Sequence, residues 1–168
     1  MSTVSIDIRR AGSGDAPTLS KVHDFSWRQV YSGLIPHRAL ETMIARRDEQ
    51  WWAKAIRHST RILVLEAMGE IVGYTTMGRN RASALAQEGE VYELYLLPEY
   101  QGVGLGRRLF LAARQELTNI GLSGSVVWVL DDNRAAVQFY QNAGGIDVAE
   151  GSETFSGTTL SKTAFAWV

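Results

Sequence analysis

A glycine-rich segment in the middle of the chain has the residue types that bind phosphate. It spans Gln101–Gly106 and is followed by Arg107 and Arg108. Glycines lack Cβ atoms and let backbone N–H groups approach a ligand closely. The start of a helix adds unpaired N–H donors and a partial positive charge. This segment therefore predicts an anion site suited to phosphate.

Two well-known phosphate-binding motifs fit this segment poorly. A P-loop ends in Gly-Lys-Ser/Thr, whereas Gly106 is followed by Arg107 and Arg108. A dinucleotide fingerprint has a third glycine three positions after Gly104, where this chain has Arg107, and it lies in an opening strand–helix unit rather than mid-chain. The alternative that the glycines merely join a strand to a helix stays open.

The elements around the glycine segment predict how it is positioned. A strand over Gly89–Leu97 leads into it, and a helix over Leu105–Thr118 follows. The apolar residues of that helix are spaced at three and four. A buried strand over Ser125–Leu130 comes next, and then a short helix over Asn133–Ala143 that Gly144 closes.

The remaining elements complete an α+β domain. Asp15 is expected to cap a first helix whose apolar face carries Leu19, Val22, Phe25 and Val30. The other expected elements are a strand at Ser5–Arg9, helices at His37–Ala45 and Glu49–Arg57, a hairpin of Arg61–Ala67 with Glu70–Met77, a polar loop at Gly78–Gln87, and two last strands, Ile146–Ala149 and Lys162–Val168, around a loop at Gly151–Thr159.

The amino-acid composition excludes several classes of function. The 168 residues, 45% of them hydrophobic, suit one soluble globular domain over residues 1–168. The net charge of −1 argues against dedicated nucleic-acid binding, and the absence of cysteine excludes thiolate nucleophiles. With neither a signal peptide nor a membrane-spanning apolar run, the protein is expected in the cytosol. The three histidines, expected at the surface or its boundary, share no ligand spacing, so no metal site is expected.

Two blocks of the sequence resemble one enzyme family. The Gln-x-x-Gly-x-Gly pattern after a Glu-Val-x-x-Leu-Tyr-Leu-x-Pro strand resembles the acyl-CoA pyrophosphate loop of the GNAT N-acetyltransferase superfamily. About thirty residues later, WVLDDNRAAVQFYQNAGG resembles the family's second characteristic block. The two blocks together cover Glu90–Gly145. The resemblance implies a GNAT-like α+β fold with a mixed, mostly antiparallel central sheet flanked by helices.

The resemblance also implies a reaction: acetyl transfer from acetyl-CoA to an amine by direct attack, without a metal. The diphosphate would meet the glycine segment, and the pantetheine amides would pair with a splayed strand edge. A backbone N–H at the end of that edge, such as that of Leu96, would stabilise the developing oxyanion. The residues implied in cofactor binding are Leu94, Tyr95, Leu96, Gln101, Gly102, Val103, Gly104, Leu105, Gly106, Arg107, Asn133, Ala136 and Tyr140.

Acid–base residues follow from the same resemblance. An attacking amine must be neutral, and an ordinary pKa of about 10.4 makes the neutral form cost roughly 4–5 kcal/mol at pH 7. Glu90 matches the position of a strand glutamate that serves as base, while Glu93 is expected on the opposite face of the strand. Tyr140 occupies the position of the general acid. In some ribosomal-protein acetyltransferases the base lies five residues before the capping asparagine, where this chain has Trp128.

The acceptor and the partners stay open at this stage. Trp27 and Tyr31 are expected to line the acceptor cleft, whereas the other tryptophans considered, Trp51, Trp52 and Trp128, are expected in the core. Two further functions compete: a non-catalytic acyl-CoA-binding sensor or partner module, and a nucleotide-binding domain. A homodimer paired through an exposed closing strand at Ala164–Val168 is a further expectation.

Overall fold

A computed structural model describes residues 5–58 and 60–168 and is built on one seven-stranded sheet. The sheet order is β1-β2-β3-β4-β5-β7-β6. Neighbouring strands are antiparallel except β4 and β5, which are parallel. The strands are β1 (Ile6–Arg10), β2 (Arg61–Ala67), β3 (Glu70–Arg79), β4 (Gly89–Leu96), β5 (Ser125–Leu130), β6 (Ile146–Phe155) and β7 (Thr158–Trp167). The expected α+β architecture with a mixed, mostly antiparallel sheet is confirmed.

Helices cover both faces of this sheet, which explains why β2 is apolar on both sides. Ile62 and Val64 pack with α1 and α3, whereas Leu63 and Leu65 pack with α4. Alternate side chains of a strand point to opposite faces, so both faces need an apolar cover. The helices are α1 (Ala16–Tyr31), α2 (His37–Arg46), α3 (Glu49–Arg57), α4 (Leu105–Asn119) and α5 (Arg134–Asn142). Within residues 5–58 and 60–168, none of the helices combines the length and apolar character that crossing a membrane requires.

Two details of helix α1 differ from the sequence prediction. Its buried face carries Ala16, Leu19, Val22, His23 and Ser26, while Phe25 is 48% exposed and Val30 is only partly buried. The Asp15 side chain does not cap the helix. Its carboxylate instead accepts hydrogen bonds from the Gly12 backbone N–H and the Arg9 guanidinium.

The last two strands are longer than the sequence predicts. The segment expected as a loop at Gly151–Thr159 is mostly strand, and the turn itself is Ser156-Gly157, both with positive φ. Strand β7 lies between β5 and β6, so Ala164–Val168 is not a free edge. The expectation that this segment pairs across a dimer is therefore wrong.

Candidate active site

Strand β4 carries a β-bulge that redirects its side chains. Tyr92 is an extra residue, because it has no counterpart on β3 between the pairs that its two neighbours form. A bulge of this kind shifts the alternation of side chains by one residue. Glu90 and Glu93 consequently line the same cavity. The prediction that they face opposite sides of the strand is wrong for this reason.

Strands β4 and β5 separate soon after they meet. Their parallel pairing consists of two residue pairs, Gly89 with Ser125 and Glu90 with Val126. Beyond Glu90 the two strands diverge, and a cleft opens between them. Leu94, Tyr95 and Leu96 follow on the β4 side of the cleft. This is the splayed strand edge that the sequence resemblance implied.

One side of the cleft is a cavity of about 790 Å³, here called the loop cavity. The glycine segment forms one wall of it through Gln101, Gly102, Gly104, Gly106 and Arg107. The other wall comes mainly from α1 and α5. The volume of the loop cavity lies within the range of ligand sites in proteins.

The backbone of the glycine segment leaves room for a ligand. Gly102 has φ +80° and Gly104, at the N-terminus of α4, has φ +85°. A Cβ atom at either position would meet nothing within 4 Å, so both backbones are open to the surroundings. Val103 is 72% exposed, whereas the Leu105 side chain is buried in the core, and neither lines the loop cavity. Only their backbone atoms are candidates for contact with a ligand.

Gln101 and Gly106 have additional structural roles. The Gln101 amide Nε2 donates a 2.7 Å hydrogen bond to the Leu96 carbonyl, which ties the glycine segment to the end of β4. A Cβ at Gly106 would approach Phe139 to 3.3 Å, so glycine here allows α4 and α5 to lie close together.

Helix α5 presents three of the predicted residues to the cleft. Asn133 caps the helix by accepting a hydrogen bond from the Ala136 N–H, at 3.3 Å. Asn133, Ala136 and Tyr140 all line the cleft. Tyr140 is 6% exposed and packs edge-on against Phe110 and Trp167. Burial raises its pKa above the ordinary value, so the phenol keeps its proton at neutral pH.

A second cavity of about 430 Å³ lies on the other side of the cleft and is here called the carboxylate cavity. It contains Glu90 and Glu93. Leu94, Tyr95, Asn133, Ala136 and Tyr140 line both this cavity and the loop cavity. Tyr140 therefore lies where the two cavities meet.

The Glu90 carboxylate is almost fully buried and is paired with Arg81. Its Oε2 accepts a 2.8 Å hydrogen bond from the Arg81 Nη2, and its Oε1 accepts one from the Arg81 backbone N–H at 3.0 Å. The Glu90 side chain is 2% exposed, whereas that of Arg81 is 69% exposed. The guanidinium also lies over the Tyr92 ring, 4.4 Å from its centroid.

The Glu93 carboxylate has three hydrogen-bond partners, two on strand β3 and one at the end of helix α2. It accepts hydrogen bonds from the Tyr74 hydroxyl at 3.0 Å, the Thr76 hydroxyl at 3.1 Å and the Arg47 guanidinium at 3.1 Å. Arg47 stacks on Trp51, with its guanidinium carbon 3.9 Å from the ring centroid. Arg47 and Arg81 were not identified from the sequence, because only the tertiary fold shows their pairing with the glutamates.

Trp27 and Tyr31 line the carboxylate cavity, in agreement with their predicted position beside a cleft. Their rings are 5.2 Å apart, and the Tyr31 hydroxyl lies 2.6 Å from that of Tyr95. Burial raises the pKa of Tyr31 to about 12. Trp51 and Trp128 also line this cavity and are only partly buried, so neither is a fully buried core residue, although Trp51 packs against the core around Trp52. Trp52 is fully buried, as predicted.

His23 is not at the surface, contrary to the prediction. It is fully buried and packs against Trp27, Trp52 and Tyr74. Burial, with a smaller contribution from the positive charge of Arg47, lowers the pKa of His23 to about 3. Its imidazole is therefore neutral over the physiological pH range. Among the described residues, no group of three or more acidic or histidine side chains could hold a metal ion.

The family model and the similar proteins all point to acetyltransferases. The family model described as "Acetyltransferase (GNAT) family" matches residues 22–144. The chain is 28% identical over 163 residues to the uncharacterized N-acetyltransferase YuaI of Bacillus subtilis, covering 96% of this chain and 92% of that protein. It is 26% identical to the spermidine N(1)-acetyltransferase of Thermoplasma acidophilum, covering 89% and 94%.

Solved structures show the same fold. The PaiA N-acetyltransferase of Thermoplasma acidophilum, solved in complex with coenzyme A, has a TM-score of 0.74 and 22% identity, covering 95% of this chain and 98% of that one. The protein yncA of Salmonella typhimurium, solved with its cofactor acetyl-CoA, has a TM-score of 0.69 and 21% identity, covering 96% of this chain and 92% of that one.

Proposed function

The chain belongs to the acetyltransferase (GNAT) family, and we propose that it transfers an acetyl group from acetyl-CoA to a primary amine by direct attack in a ternary complex. The observation that carries this proposal is the meeting of the two cavities at Tyr140. The loop cavity offers backbone donors to an anionic cofactor. The carboxylate cavity offers acid–base groups to an acceptor, and the two cavities share the wall formed by Tyr140, Ala136, Asn133 and the start of the β4 edge.

The cofactor would bind along the β4 edge and the glycine segment. The open backbone at Gly102 and Gly104 and the N-terminus of α4 suit a diphosphate. The β4 edge at Leu94–Leu96, which lies beyond the last residue pair with β5, suits the amides of the pantetheine arm. Asn133 and Ala136 form the opposite wall, where a small residue leaves space for an extended chain.

Bound acetyl-CoA would supply an acetyl thioester. The C–N bond forms between the amine and the carbonyl carbon, and the C–S bond breaks. Tyr140, which is protonated at neutral pH and lies where the two cavities meet, donates its proton to the departing sulfur and afterwards regains a proton from solvent. The proton of the amine passes through water to a strand carboxylate. A backbone N–H near Leu96 stabilises the negative charge on the oxygen.

We assign the role of base to Glu90 rather than Glu93, because the arginine that pairs with Glu90 is more exposed and can move away more easily than the arginine that pairs with Glu93. The Arg81 side chain that holds Glu90 is 69% exposed and comes from a surface loop, so it can be released into solvent. The Arg47 side chain that holds Glu93 is 22% exposed and stacked on Trp51. Glu93 also accepts two hydroxyl hydrogen bonds, which occupy its oxygens.

Release of free CoA thiol from acetyl-CoA, measured with a panel of amines, tests this function. The panel includes spermidine, because a relative carries that substrate in its name. Amine-dependent thiol release with formation of an N-acetyl product supports the proposal. Tight acetyl-CoA binding without transfer to any amine would contradict it and would support the acyl-CoA-binding sensor instead.

Location and assembly stay predictions from the sequence. We expect the enzyme in the cytosol, because the sequence shows neither a signal peptide nor a membrane-spanning apolar run. We expect no nucleic-acid partner, since the net charge is −1. If a homodimer forms, it uses a surface other than strand β7, because that strand is paired on both sides.

A further inference from the structure

The carboxylate cavity carries its own counter-ions. Three glutamates line it, and three cationic side chains line it as well. They are Glu90, Glu93, Glu153, Arg47, Arg81 and Lys162. The formal charges of these six residues cancel, so the cavity as a whole does not present the excess of negative charge that attracts a polycation.

Two ion pairs form among these residues, Arg47 with Glu93 and Arg81 with Glu90, and the first is the less exposed to solvent. The two side chains are 22% and 10% exposed, and the guanidinium is held against the Trp51 ring. Both carboxylate oxygens are occupied, one by Arg47 and the Thr76 hydroxyl and the other by the Tyr74 hydroxyl. A partly buried, stacked pair of this kind is screened less by solvent than a surface pair. Glu93 is therefore not free to bind a second ammonium group of a substrate.

The remaining charges leave room for one ammonium group. Glu90 becomes available when the exposed Arg81 side chain moves away. Glu153 is exposed at the rim, and Lys162 lines the same cavity from the neighbouring strand, with its ammonium group 4.8 Å from the centroid of the Trp128 ring. The formal charges of Glu153 and Lys162 cancel within the cavity. A second amino group on the acceptor would therefore meet Arg47 beside Glu93 and the positive charge of Lys162 in the same cavity as Glu153.

Apart from Thr60, Thr76 and Asn133, the rest of the wall is apolar or aromatic. Flat aromatic rings and apolar side chains suit a flat, apolar ligand body. They include Trp27, Met43, Trp51, Trp128, Leu130 and Phe155.

From these observations, and resting on the proposed acetyl transfer, we propose that the acceptor is a primary monoamine on an apolar or aromatic body, and that Arg47 excludes polyamines by neutralising Glu93. The charge balance selects for a single amino group. The aromatic walls select for the body that carries it.

The first experiment compares acceptors in the wild-type enzyme. Values of kcat/KM are measured for 2-phenylethylamine, tryptamine, putrescine and spermidine at one pH and ionic strength. We expect the two aromatic monoamines to exceed both polyamines by at least about tenfold, a difference of about 1.4 kcal/mol. Equal or higher values for spermidine would overturn the inference and leave acetyl transfer intact. No turnover with any amine, despite acetyl-CoA binding, would overturn the proposed function itself.

The second experiment tests the role of Arg47. Arg47→Gln removes the positive charge beside Glu93, so kcat/KM for spermidine should rise at least about tenfold relative to that for 2-phenylethylamine. Arg47→Lys keeps the charge and should keep the wild-type preference. Arg46→Gln removes an exposed charge from the neighbouring residue, the last one of helix α2, and should leave kcat/KM unchanged for both acceptors.

An unchanged ratio in a folded Arg47→Gln enzyme would overturn the role of Arg47. Folding is checked by acetyl-CoA affinity and thermal melting. If Arg47→Gln does not fold, Arg47→Lys still tests the inference, because a loss of preference in that variant contradicts a mechanism based on charge.

Discussion

Glu90 and Glu93 lie three residues apart in one strand and yet face the same cavity. The bulge at Tyr92 makes this possible, because it adds one residue to β4 without a partner on β3. The same region is where β4 separates from β5. The bulge thus brings two carboxylates to the place where the sheet opens, and an arginine pairs with each of them.

Replacing Glu90 or Glu93 by glutamine separates their roles. We expect Glu90→Gln to lower kcat by about 10²-fold, the typical size of general-base catalysis. Glu93→Gln should lower kcat less. Both kcat values are measured at saturating acetyl-CoA and saturating acceptor. The reverse pattern, in which Glu93→Gln causes the larger loss of kcat, would transfer the role of base to Glu93.

Removing the Tyr140 hydroxyl should affect chemistry rather than binding. We expect Tyr140→Phe to lower kcat by about 10²-fold, since the sulfur then leaves without a proton donor. The acetyl-CoA Kd, measured by calorimetry, should change less than threefold. Tyr100→Phe is the matched control, because Tyr100 packs on the same core and lines neither cavity. Wild-type turnover by pure Tyr140→Phe with a known acceptor would exclude the acid role.

A negative side chain at Gly104 should block the cofactor. Gly104→Glu places a carboxylate where a diphosphate would bind, and we expect the acetyl-CoA Kd to rise at least about tenfold. Gly157→Glu is the matched control, because Gly157 has the same φ of +85° and equally open surroundings but lies in the β6–β7 turn. The two variants carry similar backbone strain. Equal acetyl-CoA affinity in both would contradict the predicted diphosphate position.

His23 should make the protein sensitive to acid. Its folded pKa of about 3 lies below the ordinary value of 6.5, so the unfolded chain binds the extra proton between these two pH values. Stability therefore falls as the pH drops from about 6.5 towards 3, by up to about 1.4 kcal/mol per pH unit. Denaturant titrations at pH 7 and 5 measure this dependence. His23→Phe should flatten it, whereas His58→Phe, at an exposed position, should not.

A similar pH dependence of stability in wild type and His23→Phe would show that His23 titrates normally. Where the His23→Phe variant is less stable at both pH values, the comparison still holds, because the change with pH is measured rather than the absolute value.

Local patterns predicted the parts of the site that depend on the backbone. The glycine segment, the cap at Asn133 and the position of Tyr140 follow from short stretches of sequence, and the structure brings them to one cleft. The side-chain pairs did not follow, because Arg47 and Glu93 are 46 residues apart. The buried position of His23 depends on packing against Trp52 and Tyr74, which belong to other elements.

The errors in the fold have local physical causes. The alternation of side chains between the two faces of β4 is interrupted by one extra residue, Tyr92. The polar strand β6 resembles a loop in sequence because most of its side chains are exposed. Its pairing with β7 continues to the turn at Ser156-Gly157, where two positive φ values reverse the chain.

The crystal structure of the protein with bound coenzyme A tests the central claim most directly. We predict the diphosphate within about 3.2 Å of backbone nitrogens of the Gln101–Arg107 segment, the pantetheine arm along Leu94–Leu96, and the sulfur beside the Tyr140 hydroxyl. A coenzyme bound elsewhere, with the loop cavity empty or closed by side chains, would contradict the account.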